Sequence, residues 1–217
     1  MSADSGAITE AAFQSYLAYL IAGDRNKCRE VVEDILRDNV DTKDLYVGVF
    51  QRALYRVGEL WECNQLSVAR EHIATAITES MLSLVYPSIF AAEHCGRKAI
   101  VACAANEYHQ LGGKMVADIL ELNGWDGLFS GANTPAKDLL ELINNTNPNL
   151  LCLSLSVQSG LPTLLLLLDN VRTEFPDLPI IVGGQAFRWG GRENIASYPD
   201  VRLVETIHEL ERLIKDW

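Results

Sequence analysis

The sequence has no long apolar run, no cluster of basic residues and no paired-cysteine motif, and each absence removes a class of function. The leucine run Leu164 to Leu168 is far too short to cross a bilayer. Met1 to Gly6 is polar and carries no apolar signal core. A cytoplasmic location with no membrane partner is therefore expected. The formal charge is −11 and no Lys/Arg patch offsets it, so direct contact with nucleic acid is not expected. Cys28, Cys63, Cys95, Cys103 and Cys152 are scattered, odd in number and free of C-x-x-C, and read as small core residues of a reducing compartment. Zinc-type cysteine spacing, H-E-x-x-H and a Ser-His-Asp set are missing. Neither G-x-G-x-x-G nor G-x-x-x-x-G-K-[ST] occurs, which excludes the familiar phosphate-cradling turns.

What is present is a chain of 217 residues, 48% apolar and 22% charged, enough for a substantial core. The first half has helical periodicity. Ile8, Phe13, Tyr16, Leu17 and Leu20 form one stripe, opened by Thr9 and closed by Gly23. Asp24 caps a second helix through Cys28, Val31, Val32, Ile35 and Leu36. Thr42 starts a third, carrying Leu45, Tyr46, Val49, Phe50, Leu54, Val57 and Leu60. Ser67 caps a fourth through Val68, Ile73, Ile77, Met81, Leu82 and Val85, with Pro87 near its end. Four helices joined by short loops predict a four-helix bundle over residues 1–90. Periodicity then lapses in 91–97, a linker.

From residue 98 to 217 strands and helices alternate. Ala99–Ala105, Trp125–Phe129, Leu150–Val157, Leu178–Val182 and Val201–Val204 read as strands, and helices follow from Lys114, from Thr134-Pro135, from Pro162 and from Ile207. The pattern predicts an α/β, doubly wound, flavodoxin/Rossmann-like parallel sheet of five strands in the order 2-1-3-4-5. Ligands bind such sheets at the carboxyl rim, where the strand order reverses. Glu107-Tyr108-His109-Gln110-Leu111-Gly112-Gly113 lies at that rim after the first strand. His109 offers the commonest protein metal donor, and Glu107 could accept its other ring N–H and fix the tautomer. Ser154 and Ser156 end the third strand, and Gly183-Gly184 follow the fourth. Ser159 is a further polar candidate. His94 falls in the linker, His208 is expected to pack or cap, and Gly190-Gly191-Arg192 reads as a loop.

Taken together, Glu107-x-His109-x-x-Gly112, Ser154-x-Ser156 and Gly183-Gly184 resemble the Asp-x-His-x-x-Gly, Ser-x-Leu and Gly-Gly signature of the cobalamin-binding domain. That domain is shared by methionine synthase, the carbon-skeleton mutases, corrinoid methyl carriers and cobalamin photoreceptors. The resemblance implies that His109 ligates cobalt from below in place of dimethylbenzimidazole, with the nucleotide tail running past the serines and the glycine pair. Glu107 stands where the family has Asp, lengthening the arm that reaches His109, and Ser156 stands where it has Leu. A second resemblance joins Trp61, nine residues on, to Glu71-His72. This is similar to the Trp-x9-Glu-His signature of light-sensing cobalamin proteins of the CarH type. It implies that the bundle caps the upper corrin face, with Trp61 over the upper ligand, Glu71 accepting from an adenosyl ribose and His72 beside it. In that class a histidine often follows the tryptophan, whereas here the position is Glu62.

The expectation is a cobalamin-binding light sensor or transcription regulator rather than an enzyme. Adenosylcobalamin is the expected cofactor, with methylcobalamin or another alkylcobalamin possible in its place. The first periodic pattern belongs to the bundle, so no DNA-binding helix-turn-helix is expected ahead of it, and signalling would run through a protein partner or self-association. A corrinoid carrier subunit of a methyltransferase system is the alternative. A flavodoxin-like phospho-receiver fits poorly, since no acidic pocket follows the first strand and Glu205-Thr206, not lysine, follow the fifth.

Overall fold

The computed structural model describes residues 7–91 and 93–217. The predicted N-terminal stretch Met1–Gly6, and Ala92 within the predicted linker, lie outside the described residues. The chain divides into two compact units that meet in sequence between Phe90 and Ala91.

The first unit is built on local signals. In α1 (Glu10–Ala22) the Thr9 hydroxyl accepts from the Ala12 amide at 3.1 Å, and Gly23 closes the helix at φ +78°. In α2 (Arg25–Arg37) Asp24 accepts from the Lys27 amide at 3.1 Å. The third predicted helix is one rod with a change of gauge. It runs as α3 (Thr42–Leu45), a π-helical stretch (Tyr46–Gln51) and α4 (Arg52–Glu62). Its cap is Asp41, whose carboxylate accepts from the Lys43 amide, while Thr42 is already helical. Helix α5 (Val68–Leu82) starts from Ser67 as predicted but stops earlier. Pro87 does not end it: it occupies the first turn of a separate helix, α6 (Tyr86–Ile89), where the missing N–H costs nothing.

Helix α1 packs on α2, α4 and α5, and α4 packs on α5. Their shared core holds Tyr16, Leu20, Leu45, Tyr46, Phe50, Ile77 and Leu82, all almost fully buried. The Phe50 ring lies 5.7 Å from Tyr16 and 5.8 Å from Tyr46 in tilted geometry. The Tyr16 hydroxyl, which could not be left unpaired there, meets the Thr78 hydroxyl at 3.1 Å.

The second unit is the predicted parallel sheet. Its strands are β1 (Lys98–Cys103), β2 (Asp126–Phe129), β3 (Leu150–Ser154), β4 (Ile180–Gly183) and β5 (Val201–Val204), in the order β2-β1-β3-β4-β5. All four pairings are parallel. β1 and β3 are buried almost throughout, which explains their unbroken apolar runs. Helices α8 (Ala136–Thr146) and α9 (Leu161–Glu174) cover one face through Leu139, Ile143, Leu164, Leu167, Leu168 and Val171. Helix α7 (Leu111–Leu122) packs on β1 and β2 and is joined by α11 (Ile207–Lys215).

Several predicted bounds shift at the carboxyl rim. The first strand ends at Cys103, short of Ala105, and the third at Ser154, so Ser156 lies beyond the strand. Helix α7 begins at Leu111, placing Gly112 and Gly113 in its first turn rather than in a loop. Pro135 precedes α8 instead of opening it. Gly190-Gly191-Arg192 is not simply a loop: Gly191, at φ +87°, leads directly into α10 (Arg192–Ala196). His208 is exposed in the first turn of α11, and the cap there is the Thr206 hydroxyl, which accepts from the Glu209 amide.

Candidate functional site

Three loops converge at the carboxyl ends of β1, β2 and β3. The ladder continues past the strands and fixes them, with Ser130 N–H donating to Val101 O and Thr134 N–H to Cys103 O. Into this frame β1 delivers Glu107, whose carboxyl group is almost wholly buried. One carboxylate oxygen accepts from the His109 amide at 2.8 Å and from His109 Nδ1 at 2.7 Å. The other accepts from the backbone amides of Ser156 at 2.8 Å and Val157 at 3.1 Å. A single buried carboxylate therefore holds the loop after β1 against the loop after β3.

Burial is the largest single influence on Glu107 and opposes its charge. It is outweighed by the hydrogen bond from the His109 ring, by those from the His109 and Ser156 amides, and by the attraction of the His109 ring. The carboxyl group is held below the ordinary glutamate value. An ionised Glu107 can only accept, so His109 Nδ1 carries the proton. In the neutral imidazole, Nε2 is then the nitrogen that can form a metal bond. The His109 side chain is 45% exposed while Glu107 is sunk beneath it. A ligand nitrogen at the rim, oriented by a buried anion, is what a coordinating histidine requires.

The extra methylene of Glu107 has a visible use. It lets one side chain reach both His109 and the two amides beyond β3. Glu107→Gln is expected to remove an acceptor from one of these pairs and set an N–H against an N–H. The expected loss is about 2–3 kcal/mol of second-unit stability at neutral pH, read from denaturant midpoints. The sign with pH follows from the depressed carboxyl value. Wild-type stabilisation is complete above the unfolded-state value and is lost as pH falls through the lower folded-state value, so the two proteins converge in acid.

Of the other rim residues, Ser154 is buried and its hydroxyl lies 3.7 Å from where a Cβ on Gly112 would stand. Ser156 enters through its backbone amide, a role its side-chain identity does not announce. Ser159 is exposed in a short 3-10 turn, Gln158–Gly160. Tyr108 is 66% exposed beside His109. Gln110 sits at the N-cap of α7 without capping it, and Leu111 is buried. Gly183 and Gly184 have a reason internal to the fold: a Cβ on Gly183 would lie 2.8 Å from the Val204 carbonyl oxygen, and one on Gly184 only 2.0 Å from that of Leu155. Two further rim residues carry no motif signal in the sequence. Trp189, 65% exposed, follows β4, and Asn133 bonds the backbone on both sides of Glu107. His94 is not in this group: its Nδ1 lies 2.5 Å from an Asp126 carboxylate oxygen. Among the described residues no group of three or more His, Cys, Asp or Glu side chains could hold a metal ion between them.

In the helical unit, Trp61 lies in the last turn of α4 at 38% exposure, which does not suit a core anchor. The chain then reverses tightly, with the Gln65 and Leu66 amides both donating to the Leu60 carbonyl and Asn64 at φ +55°. Ser67 opens α5, so Glu71 lies in its first turn. Glu71 is largely buried, and its Oε1 accepts from the Thr75 hydroxyl at 2.8 Å. Its Oε2 lies 3.5 Å from Nε2 of His72, which is 74% exposed. The helical unit thus places an exposed indole, a held carboxylate and an imidazole on either side of one turn.

Comparison with known proteins bears on both units. A model described as B12 binding domain matches residues 12–86, and a second with the same description matches residues 97–203. The chain belongs to the B12-binding domain family. The first match falls within the helical unit and the second within the sheet unit. Among curated proteins, the chain is 31% identical over 132 residues to the HTH-type transcriptional repressor CarA of Myxococcus xanthus, covering 60% of this chain and 44% of that protein. It is 28% identical over 176 residues to the HTH-type transcriptional repressor CarH of the same organism, covering 81% of this chain and 58% of that protein. The chain thus spans about half the length of the curated relatives it matches. Among solved structures, the Methanosarcina barkeri monomethylamine corrinoid protein has the same fold, with a TM-score of 0.83 at 14% identity over 96% of this chain and 99% of that one. The oriented, half-exposed imidazole of His109 has the donor chemistry a corrinoid cobalt takes, so the residues present fit the family's cofactor.

Proposed function

We propose that this protein is a cobalamin-dependent light sensor that holds adenosylcobalamin, or another alkylcobalamin, with His109 as the lower axial ligand. Family membership supports the cofactor, and the Glu107–His109 pair is the observation that carries the ligand assignment. When bound, such a cofactor supplies a light-cleavable cobalt–carbon bond. The chain's own residues do the rest. Glu107 fixes the His109 tautomer and aims the ring. Ser154, Ser156, Gly183 and Gly184 would line the part of the rim that takes the nucleotide tail. In the helical unit Trp61 offers a flat apolar plate, Glu71 a carboxylate that accepts from ribose hydroxyls, and His72 a neighbouring polar group. A plate and an acceptor suit a nucleoside better than a methyl group.

Signal output then needs only two arrangements of the helices that the loaded and photolysed forms favour unequally. Similarity to the two transcriptional repressors supports a regulatory role, exerted through a protein partner or self-association within a cytoplasmic, membrane-independent setting. A corrinoid carrier subunit for a methyltransferase is the second reading. Glu62 favours it, because a carboxylate there replaces the histidine that often follows the tryptophan in light sensors.

The test is reconstitution with adenosylcobalamin and with methylcobalamin, followed by visible spectra and size-exclusion profiles in the dark and after green light. The sensor reading expects tight adenosylcobalamin binding, a photoproduct spectrum and a changed elution volume. Tight methylcobalamin binding without a light-dependent size change, together with methyl transfer to a thiol or pterin when a partner enzyme is added, would move the assignment to the carrier.

A further inference from the structure

Asn133 occupies an unusual place between two loops. It follows β2 at φ +50°, and the residue it faces, Asn106 after β1, stands at φ +67°. Asparagine is the non-glycine residue best suited to that left-handed region. The Asn133 side-chain oxygen accepts from the Asn106 amide at 2.8 Å, and the Asn133 amide donates to the Glu107 carbonyl at 2.8 Å. One residue therefore grips the backbone on both sides of the peptide unit leading into Glu107. Glu107 carries His109 from the same loop. Glu107 also ties down the far side of the crevice through Ser156 and Val157, so its position sets where the imidazole stands.

We infer that Asn133 is a positioning residue for the lower axial ligand: through its two bonds to the β1 loop it fixes the placement of Glu107, and through Glu107 the height and aim of His109. This rests on His109 being the cobalt ligand. The clasp touches neither the ring nor the cofactor, so its effect passes through the loop backbone. Partners one step removed from a metal ligand commonly change metal affinity by about 10–100-fold when lost, and a clasp one step further out should fall at the lower end of that range.

The experiment uses the full chain and cobinamide, a corrinoid without the nucleotide tail, so that the tail pocket does not contribute. Asn133→Gly keeps the left-handed backbone but removes the acceptor, while Asn133→Asp keeps an acceptor of the same shape. Affinity and the imidazole-coordinated visible spectrum are measured for both, for His109→Ala, and for the Asn133→Gly/His109→Ala double variant. The expected result is a loss of about tenfold with Asn133→Gly, a change within about twofold with Asn133→Asp, and no further loss when Asn133→Gly is added to His109→Ala. Wild-type affinity and spectrum in Asn133→Gly would overturn the inference. So would an additive loss in the double variant, or collapse of the fold with Asn133→Gly as judged by circular dichroism, since each makes the clasp merely structural. If His109→Ala itself keeps the imidazole-coordinated spectrum, the ligand assignment fails first, and the inference goes with it.

Discussion

Replacing His109 with alanine is expected to abolish the imidazole-coordinated spectrum of bound cobinamide and to weaken its retention by at least about 100-fold. The magnitude follows from ordering. Loss of a group that merely orients a ligand costs about 10–100-fold, and removal of the ligand should cost no less. The protein should stay folded, because the His109 ring is 45% exposed and rests on Glu107 rather than in the apolar core. Glu107 would keep its bonds to the His109, Ser156 and Val157 amides, which do not depend on the imidazole. Equilibrium dialysis and visible spectra on the variant decide the matter. With cobinamide, which brings no dimethylbenzimidazole of its own, retention of a nitrogen-ligated spectrum would point to His72, His94 or His208, the other histidines in the sequence.

The second large effect concerns Gly184. A methyl group there would stand 2.0 Å from the Leu155 carbonyl oxygen and 2.8 Å from its carbon, both backbone atoms. The backbone at Gly184 is at φ +120°, ψ 165°, a region open essentially to glycine alone. Neither side can give way cheaply, because Leu155 N–H donates to the Gly183 carbonyl and Ala186 N–H to that of Leu155. Gly184→Ala is expected to cost about 3–5 kcal/mol, placing it among the exceptional single substitutions. The corresponding fall in the second unit's melting midpoint is roughly 10–20 °C, measurable on the cofactor-free protein. Gly112 provides the contrast. A Cβ there would meet only the Ser154 hydroxyl, at 3.7 Å, within the first turn of α7. Gly112→Ala should leave stability within about 1 kcal/mol of wild type, so any loss of corrinoid binding in it reports the space the ligand needs.

These two glycines show where sequence reading succeeds and where it stops. The order of the five strands was legible because β1 and β3 are buried on both faces and their apolar runs have no other use. The pair Gly183-Gly184 was visible as a motif, but its cause was not. Nothing in the chain locates the Leu155 carbonyl that forbids a side chain. Glu107 and His109 were legible as a donor and its orienting acid, since two residues of spacing suffice. That the same carboxylate also binds the Ser156 and Val157 amides depends on a chain reversal forty-nine residues away. Ser156 stands out in the sequence for its hydroxyl and serves through its amide, a contribution any residue but proline could make. Asn133 escaped because an asparagine in a polar loop is unremarkable until its backbone angle and two partners are known. Pro87 is ambiguous in the opposite way, since the same ring can close one helix or open the next.

The π-helical stretch Tyr46–Gln51 has a consequence for the indole at the far end of that rod. Its wider winding buries Tyr46, Val49 and Phe50 together while shifting the phase of every later residue relative to an α-helix begun at Thr42. One residue more or fewer in an α-helix is a rotation of about 100° about its axis. Trp61 therefore owes its bearing to an irregularity three turns upstream. A slip back to regular winding would swing the indole to another azimuth while α5, with Glu71, stayed where it is.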